Sequence, residues 1–294
     1  MKECLLYKTS GDYAQCQACN HYCRIAPFKR GICGVRENQK GKLFSLTYGR
    51  IIEEHVEPIE KKPLRHFLPQ TTTLSIASLG CNFSCQWCQN WDISQGPKTE
   101  LSRDEIMNKT GVEMTPDQIV ADAKRAKAQS ISYTFTEPTV FLELAIETMK
   151  LARDEKIKNV WISNGYFSKE TFEIISPYLD AINMDLKGFK EDNYLKYFGA
   201  KLLPILDNIK AIYKKGIHLE VTTLIVPGVN DGEEEISDIA NFLSRISSNI
   251  VWHISRFFPD YKMRDIEPTP IKTLKQAQAI GKKAGLKYVY LGNI

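Results

Sequence analysis

Three cysteines, Cys81, Cys85 and Cys88, stand within eight positions in the stretch GCNFSCQWCQN. Thiolates are soft ligands that select zinc or iron–sulfur clusters. Three is one fewer than the four donors of a structural zinc site and one more than a disulfide takes. A cubane of four irons and four sulfides is ordinarily held by four cysteines, so a loop that offers three leaves one iron open to another ligand. A bacterial ferredoxin run is spaced Cys-x2-Cys-x2-Cys, whereas this loop is Cys-x3-Cys-x2-Cys. The alternative is a zinc loop, or a plain cluster whose fourth ligand lies elsewhere in the chain.

A second set, Cys16, Cys19, Cys23 and Cys33, supplies four thiolates, the closed set of a structural metal site. Zinc is the expected ion, because four thiolates satisfy it tetrahedrally and a segment with little core gains stability from such a staple. An auxiliary iron–sulfur cluster is the competitor. His21 reads as a bystander and Cys4 as an unligated thiol.

Such ligands need a scaffold, and the 294 residues divide in rhythm near position 70. Residues 1–70 read as a small Cys-rich metal-binding segment, with KLFSLTY (42–48) and RIIEEHV (50–56) predicted to form a hairpin about Gly49. From 71 to 294, short apolar or β-branched runs at 73–79, 130–135, 160–163, 181–186, 218–226, 251–255 and 287–291 alternate with helical patterns at 115–129, 139–154, 168–176, 202–215, 232–246 and 270–284. Thr115-Pro116 opens the first of these helices as cap and first-turn proline. The alternation implies an α/β fold with a parallel sheet, an open or partial (β/α)6 TIM-type barrel whose function sits at the carboxyl ends of its strands.

The three-cysteine loop follows the first of those strands, and polar groups follow the others. The second run leads into YTFTEPT, with Thr136 and Glu137. The carboxylate either holds a ligand's ammonium or caps the next helix. The third leads into ISNGY, where Ser163 and Asn164 suit a ribose or merely make an Asn-Gly turn. The fourth brings Asp185 and Lys187, and the fifth runs into LIVPGVND with Val226.

This combination resembles the radical S-adenosylmethionine (SAM) superfamily from about residue 71 to 291. The resemblance implies a [4Fe-4S] cluster on Cys81, Cys85 and Cys88 whose open iron chelates SAM. One electron then cleaves the sulfonium, giving methionine and a 5′-deoxyadenosyl radical that abstracts a substrate hydrogen. By the same resemblance Trp87 and Val226 lie near the adenine, Thr136 and Glu137 hold the ammonium, Ser163 and Asn164 face the ribose, and Lys187, with Asp185, pairs with the SAM carboxylate. The features CQACNHYC…GICGVREN, IEKKPLRHFLP, CQNWDIS and HISRFFPDYKM are similar to the AmmeMemoRadiSam system enzymes of the pyruvate formate-lyase activating enzyme branch. That likeness implies two partner proteins and a one-electron donor of the flavodoxin or ferredoxin type. Ile162 and Thr222 depart from the activating enzymes' pattern, which leaves activation of a glycyl-radical enzyme as an alternative to hydrogen abstraction from another substrate. A non-catalytic electron carrier or a zinc-held interaction module is the alternative from a different class.

Lys61, Lys62, Arg65 and His66 form a basic knot, read either as a solvated charge run or as an electropositive rim for an anionic substrate. Asn90, His253 and Arg256 are further candidates for contacts with a small-molecule or protein substrate. No residue stands out as the one that quenches the product radical. Composition is ordinary and globular, 43% hydrophobic and 25% charged. The net charge of +4 does not call for nucleic acid. The absence of a long apolar run and of a signal peptide leads to the expectation of a cytoplasmic protein without a membrane span.

Overall fold

The computed structural model describes residues Met1 to Ile294. The chain groups into two compact units, one of Met1–Phe83 with Asn90–Ala181, the other of Ser84–Gln89 with Ile182–Ile294. No helix is long and apolar enough to cross a membrane.

In the first unit the amino-terminal segment builds two small antiparallel sheets. Arg36–Gln39, Lys42–Ser45 and Lys2–Glu3 form one, and Tyr7–Ser10, Tyr13–Cys16 and Arg24–Ile25 the other. The hairpin expected about Gly49 does not form. Residues 42–45 pair instead with 36–39 across Lys40 and Gly41, both at positive φ (50° and 89°), the conformation of the two-residue turns that match strand twist. The run 50–56 is used differently: strand β1 (Glu53–Pro58) pairs antiparallel with β2 (Thr72–Ala77) at the edge of the main sheet. Strands β3 (Ser130–Tyr133) and β4 (Lys158–Ser163) then add in parallel. The connector from β1 to β2 tucks Ile59, Leu64 and Phe67 against Val160, Ile162 and Ala181.

The crossovers are helical. Helix α1 (Trp91–Thr99) was not expected, since Gly96 and Pro97 argue against it. Helix α2 (Pro116–Arg125) opens on the Thr115 cap with a reciprocal bond from Gln118. Helix α3 (Leu142–Asp154) follows a short 3-10 turn at Pro138–Phe141, and α4 (Lys169–Ile175) is capped by Ser168.

The second unit repeats the pattern with β5 (Ala181–Asp185), β6 (His218–Ile225), β7 (Val251–Arg256) and β8 (Tyr288–Gly292) in sequential order, β6 to β8 parallel. Helices α5 (Glu191–Phe198), α6 (Leu203–Lys215), α7 (Glu233–Ile246) and α8 (Ile271–Lys283) connect them. Six βα repeats, β2 through β7, are therefore present, as the alternation in the sequence requires for this α/β fold.

Candidate active site

Within the first unit the loops at the carboxyl ends of β3 and β4 are tied together by Glu137. Its carboxylate is 2% exposed. Oε1 accepts from the Thr139 backbone N–H (3.2 Å), the Thr139 hydroxyl (2.6 Å) and the Ser163 hydroxyl (2.9 Å), and Oε2 from the Asn164 N–H (2.9 Å). Burial raises its pKa above 4.5 and outweighs these four donors, which act to lower it. Glu137 is thus the cap of the 138–141 turn and the tether of the β4 terminus at once. Thr136 donates its hydroxyl to the Ser78 carbonyl (2.7 Å), joining the β3 end to that of β2.

Asn164 reaches from β4 to the cysteine loop. Its Nδ2 donates to Asn82 Oδ1 (2.7 Å) and lies 3.9 Å from Cys81 Sγ, which also accepts the Phe83 N–H at 3.4 Å. Phe135, between β3 and Glu137, sits at φ 61°. The left-handed region costs an aromatic residue strain that glycine avoids. Asn90 Nδ2 donates to its carbonyl (2.8 Å), the Lys62 ammonium stands 4.3 Å from its ring centre, and His55 meets its edge at 5.7 Å. His55 carried no signal in the sequence, and its place follows from β1 joining the sheet.

The basic knot separates into different residues. Lys62 is not part of a solvated run: its side chain is 5% exposed, paired with Glu57 at 2.5 Å, and reaches the strand-end turn at Phe135. Burial lowers its pKa, with Glu57 opposing. Lys61 is exposed and 3.7 Å from Glu57, and Arg65 and His66 are exposed as well.

In the second unit, Cys85 and Cys88 lie in the segment 84–89. Trp87 beside them is 5% exposed and packs edge-on to Phe198 (5.2 Å) and tilted on Tyr197 (5.7 Å), so its ring anchors the loop to helix α5. Lys187 donates its ammonium to Asp185 (2.8 Å). Burial works to lower the Lys187 pKa, but the charges of Asp185 and Cys85 outweigh it and the lysine stays protonated. Its backbone N–H donates to the buried Tyr194 hydroxyl (2.9 Å). Asn230, whose role the sequence did not disclose, donates to the carbonyls of Lys187 and Leu224 and accepts the Val226 N–H, fixing the β6 end to that of β5. Val226 itself is fully buried.

His253 bonds through Nε2 to Glu220 (2.5 Å), a fully buried carboxylate that also meets His218 (3.0 Å), and it stacks on Tyr290 at 5.8 Å. Arg256 donates to the Thr269 carbonyl (2.8 Å) and lies over Phe258. Thr222 donates to Asn183.

All eight cysteines are free of disulfides. Cys16, Cys19, Cys23 and Cys33 line one cavity of the first unit together with His21, Arg36 and Asn82, whereas Cys4 does not line it and packs in the apolar cluster behind Cys16. Burial pushes Cys16 up to about 11 and raises Cys19 and Cys23. Nowhere in the chain do three His, Cys, Asp or Glu side chains converge closely enough to hold a metal ion as they stand.

The model of the Radical SAM superfamily matches residues 75–243. The chain belongs to the radical SAM superfamily. An uncharacterized protein of Methanocaldococcus jannaschii, MJ0808, is 43% identical over 296 residues, all of this chain and 86% of that one. The pyruvate formate-lyase-activating enzyme of Clostridium pasteurianum is 26% identical over 204 residues, 64% of this chain and 81% of the enzyme. This radical SAM protein is thus similar over part of its length to an activating enzyme. Among solved structures, a radical SAM methyltransferase from Sphaerobacter thermophilus superposes with a TM-score of 0.57 at 13% identity, over 76% of this chain and 67% of that one. Streptococcus suis SuiB bound to S-adenosylmethionine gives 0.55 at 13% identity, over 74% and 49%. At such identities the likeness is one of fold. Membership in the superfamily implies a [4Fe-4S] cluster and SAM.

Proposed function

We propose that this protein reductively cleaves SAM and abstracts a hydrogen atom from its substrate, a small molecule or a partner protein. The observation that carries this reading is the loop after β2, which holds three thiols and no disulfide. The donor set fits a cluster: the Phe83 N–H and Asn164 Nδ2 face the Cys81 sulfur. Cys81, Cys85 and Cys88 would hold the [4Fe-4S] group. Such a cluster, when bound and reduced by an external one-electron donor, would supply the electron that splits SAM into methionine and the radical that takes a substrate hydrogen.

The surrounding residues bind and orient. Lys187, held by Asp185 and Tyr194, offers a fixed ammonium to the SAM carboxylate. Glu137 acts chiefly by positioning Ser163 and Asn164 for the ribose, because both its oxygens are already occupied. Trp87 and Val226 shape the adenine side through the backbone they anchor. Asn90 and Lys62, both at Phe135, are the foremost substrate contacts of their group, ahead of Lys61, Arg65 and His66 at the surface. His253 and Arg256 are aligned by Glu220 and Thr269 for the same task. The electron donor is of the flavodoxin or ferredoxin type, the partners are those of the AmmeMemoRadiSam system, and the setting is cytoplasmic.

Glycyl-radical activation is the second reading, supported by the Clostridium pasteurianum relative. Thr222, committed to Asn183, weighs against it by standing where those enzymes are expected to carry arginine.

The test is anaerobic reconstitution followed by an assay for 5′-deoxyadenosine, with and without partner proteins. The protein should gain an oxygen-sensitive cluster whose reduced spectrum changes on adding SAM. Replacing all three of Cys81, Cys85 and Cys88 by alanine should abolish both signals. Lys187→Ala should leave the cluster and weaken SAM binding by about 1.5–3 kcal/mol, the range for a charged hydrogen bond. A SAM-responsive signal that survives the triple substitution would sink the proposal.

A further inference from the structure

We propose that Cys16, Cys19, Cys23 and Cys33 bind one zinc ion, with Arg36 as the buried cation beside it, and that this ion braces the loop leading into Cys81. The four thiols surround a single cavity of about 20 Å³. That is room for a single ion, and four thiolates are the closed set that satisfies zinc tetrahedrally. Zinc, with sulfur ligands at about 2.3 Å, would draw the thiolates inward from their present spacing.

A second observation points to the same occupant. Arg36 lines the cavity and is 2% exposed. Its Nη2 is paired with Glu143 at 2.7 Å, but Nε and Nη1 are buried without a hydrogen-bond partner. Orphaned guanidinium donors are costly in a protein interior. A tetrathiolate zinc centre carries net negative charge and sulfur acceptors, which supplies what those two nitrogens lack. The Arg36–Glu143 pair alone explains only one edge of the guanidinium.

The cavity wall is also the wall of the cysteine loop. Asn82, next to Cys81, lines the cavity, and its carbonyl bonds His21 Nε2 at 2.8 Å. Gly80 runs so close to the Cys33–Val35 turn that a Cβ there would lie 2.8 Å from Val35 Cγ1 and 2.9 Å from the Cys33 carbonyl. On the other side, Asn20 donates to the carbonyl of Phe167 (2.7 Å), Ser168 to that of Gln17 (2.5 Å) and Thr171 to that of Ala18 (2.7 Å). The segment around Cys19 is therefore fastened both to Gly80–Asn82 and to the loop after β4 that carries Asn164. An ion that closes the four thiols fixes the position of both.

The brace rests on the proposed role of the Cys81 loop, but the metal site does not, so the test separates them. Full-length protein with Cys81, Cys85 and Cys88 replaced by alanine should still carry one zinc per chain and no sulfide, and a further Cys33→Ser change should remove it. No zinc, or iron with acid-labile sulfide at this site, would overturn the assignment. Arg36→Lys keeps a charge for Glu143 but loses the forked donors. In chelator competition it should weaken zinc retention roughly tenfold to a hundredfold, the usual effect of altering a residue behind the ligands. If that variant does not fold, the paired Arg36→Met and Glu143→Leu change serves the same comparison, and unchanged retention would exclude Arg36. For the brace, removing zinc from the wild-type chain with a chelator should speed hydrogen exchange at 79–83 and 164–167. His21→Ala should do so at 79–83 while zinc stays bound. Exchange that rises only within 16–36 would leave a metal site without a brace.

Discussion

Replacing Glu137 by alanine removes the acceptor for four donors at the ends of β3 and β4. The Ser163 and Thr139 hydroxyls can rotate to other partners. The Thr139 and Asn164 backbone N–H groups cannot, and both are buried. Leaving two such groups unsatisfied costs about 2–6 kcal/mol. Relief from burying a carboxylate, visible in its raised pKa, offsets part of that, so the expected loss is about 2–4 kcal/mol in urea unfolding. The pH dependence has a definite sign. Because the folded carboxyl binds its proton more tightly than the ordinary value of 4.5, its contribution is greatest below that value and declines as pH rises through the raised one. The non-titrating Glu137→Gln variant lacks this decline, so the stability gap between it and the wild type should narrow from pH 4.5 to 7. A loss under about 0.5 kcal/mol for Glu137→Ala, or a gap that widens with pH, would refute the tether and free Glu137 for direct contact with SAM.

Phe135→Gly and Phe135→Ala both lose the ring between Lys62 and His55, but only alanine keeps a side chain in the left-handed region. Thermal or chemical unfolding should therefore find the glycine variant more stable than the alanine variant by about 1 kcal/mol, and the reverse order would contradict the strain. Glu57→Gln strands the buried Lys62 ammonium and should cost about 2–3 kcal/mol, less than a fully buried pair because Glu57 is 17% exposed. Lys61→Ala, at a side chain 66% exposed, should cost under about 0.5 kcal/mol. Equal losses at the two sites would mean that Lys62 is solvated after all.

The ligand set was readable because it is local. Cys81, Cys85 and Cys88 occupy one loop, and counting three thiolates needs no knowledge of the fold. The βα alternation is local too, since the periods of buried strands and amphipathic helices are written in consecutive residues. Helix α5 escaped notice, although its Tyr194 and Phe198 hold Lys187 and Trp87 in place. So did Asn230, whose three bonds span two strand ends. The failure at Gly49 has the same origin: 50–56 has a strand pattern, but nothing in it says that its partner is 72–77 rather than 42–48.

Residue types and short spacings thus establish the superfamily, the alternation of strands and helices from β2 onward, and which positions stand at strand ends. Whether Lys62 faces water or lies beneath Phe135, whether Glu137 is open or fully engaged, and how Gly80 comes against Cys33 depend on pairs 27 or more positions apart. Those meetings are set by register and packing. A strand pattern shows which side chains share a face, but not which face of which neighbour they meet.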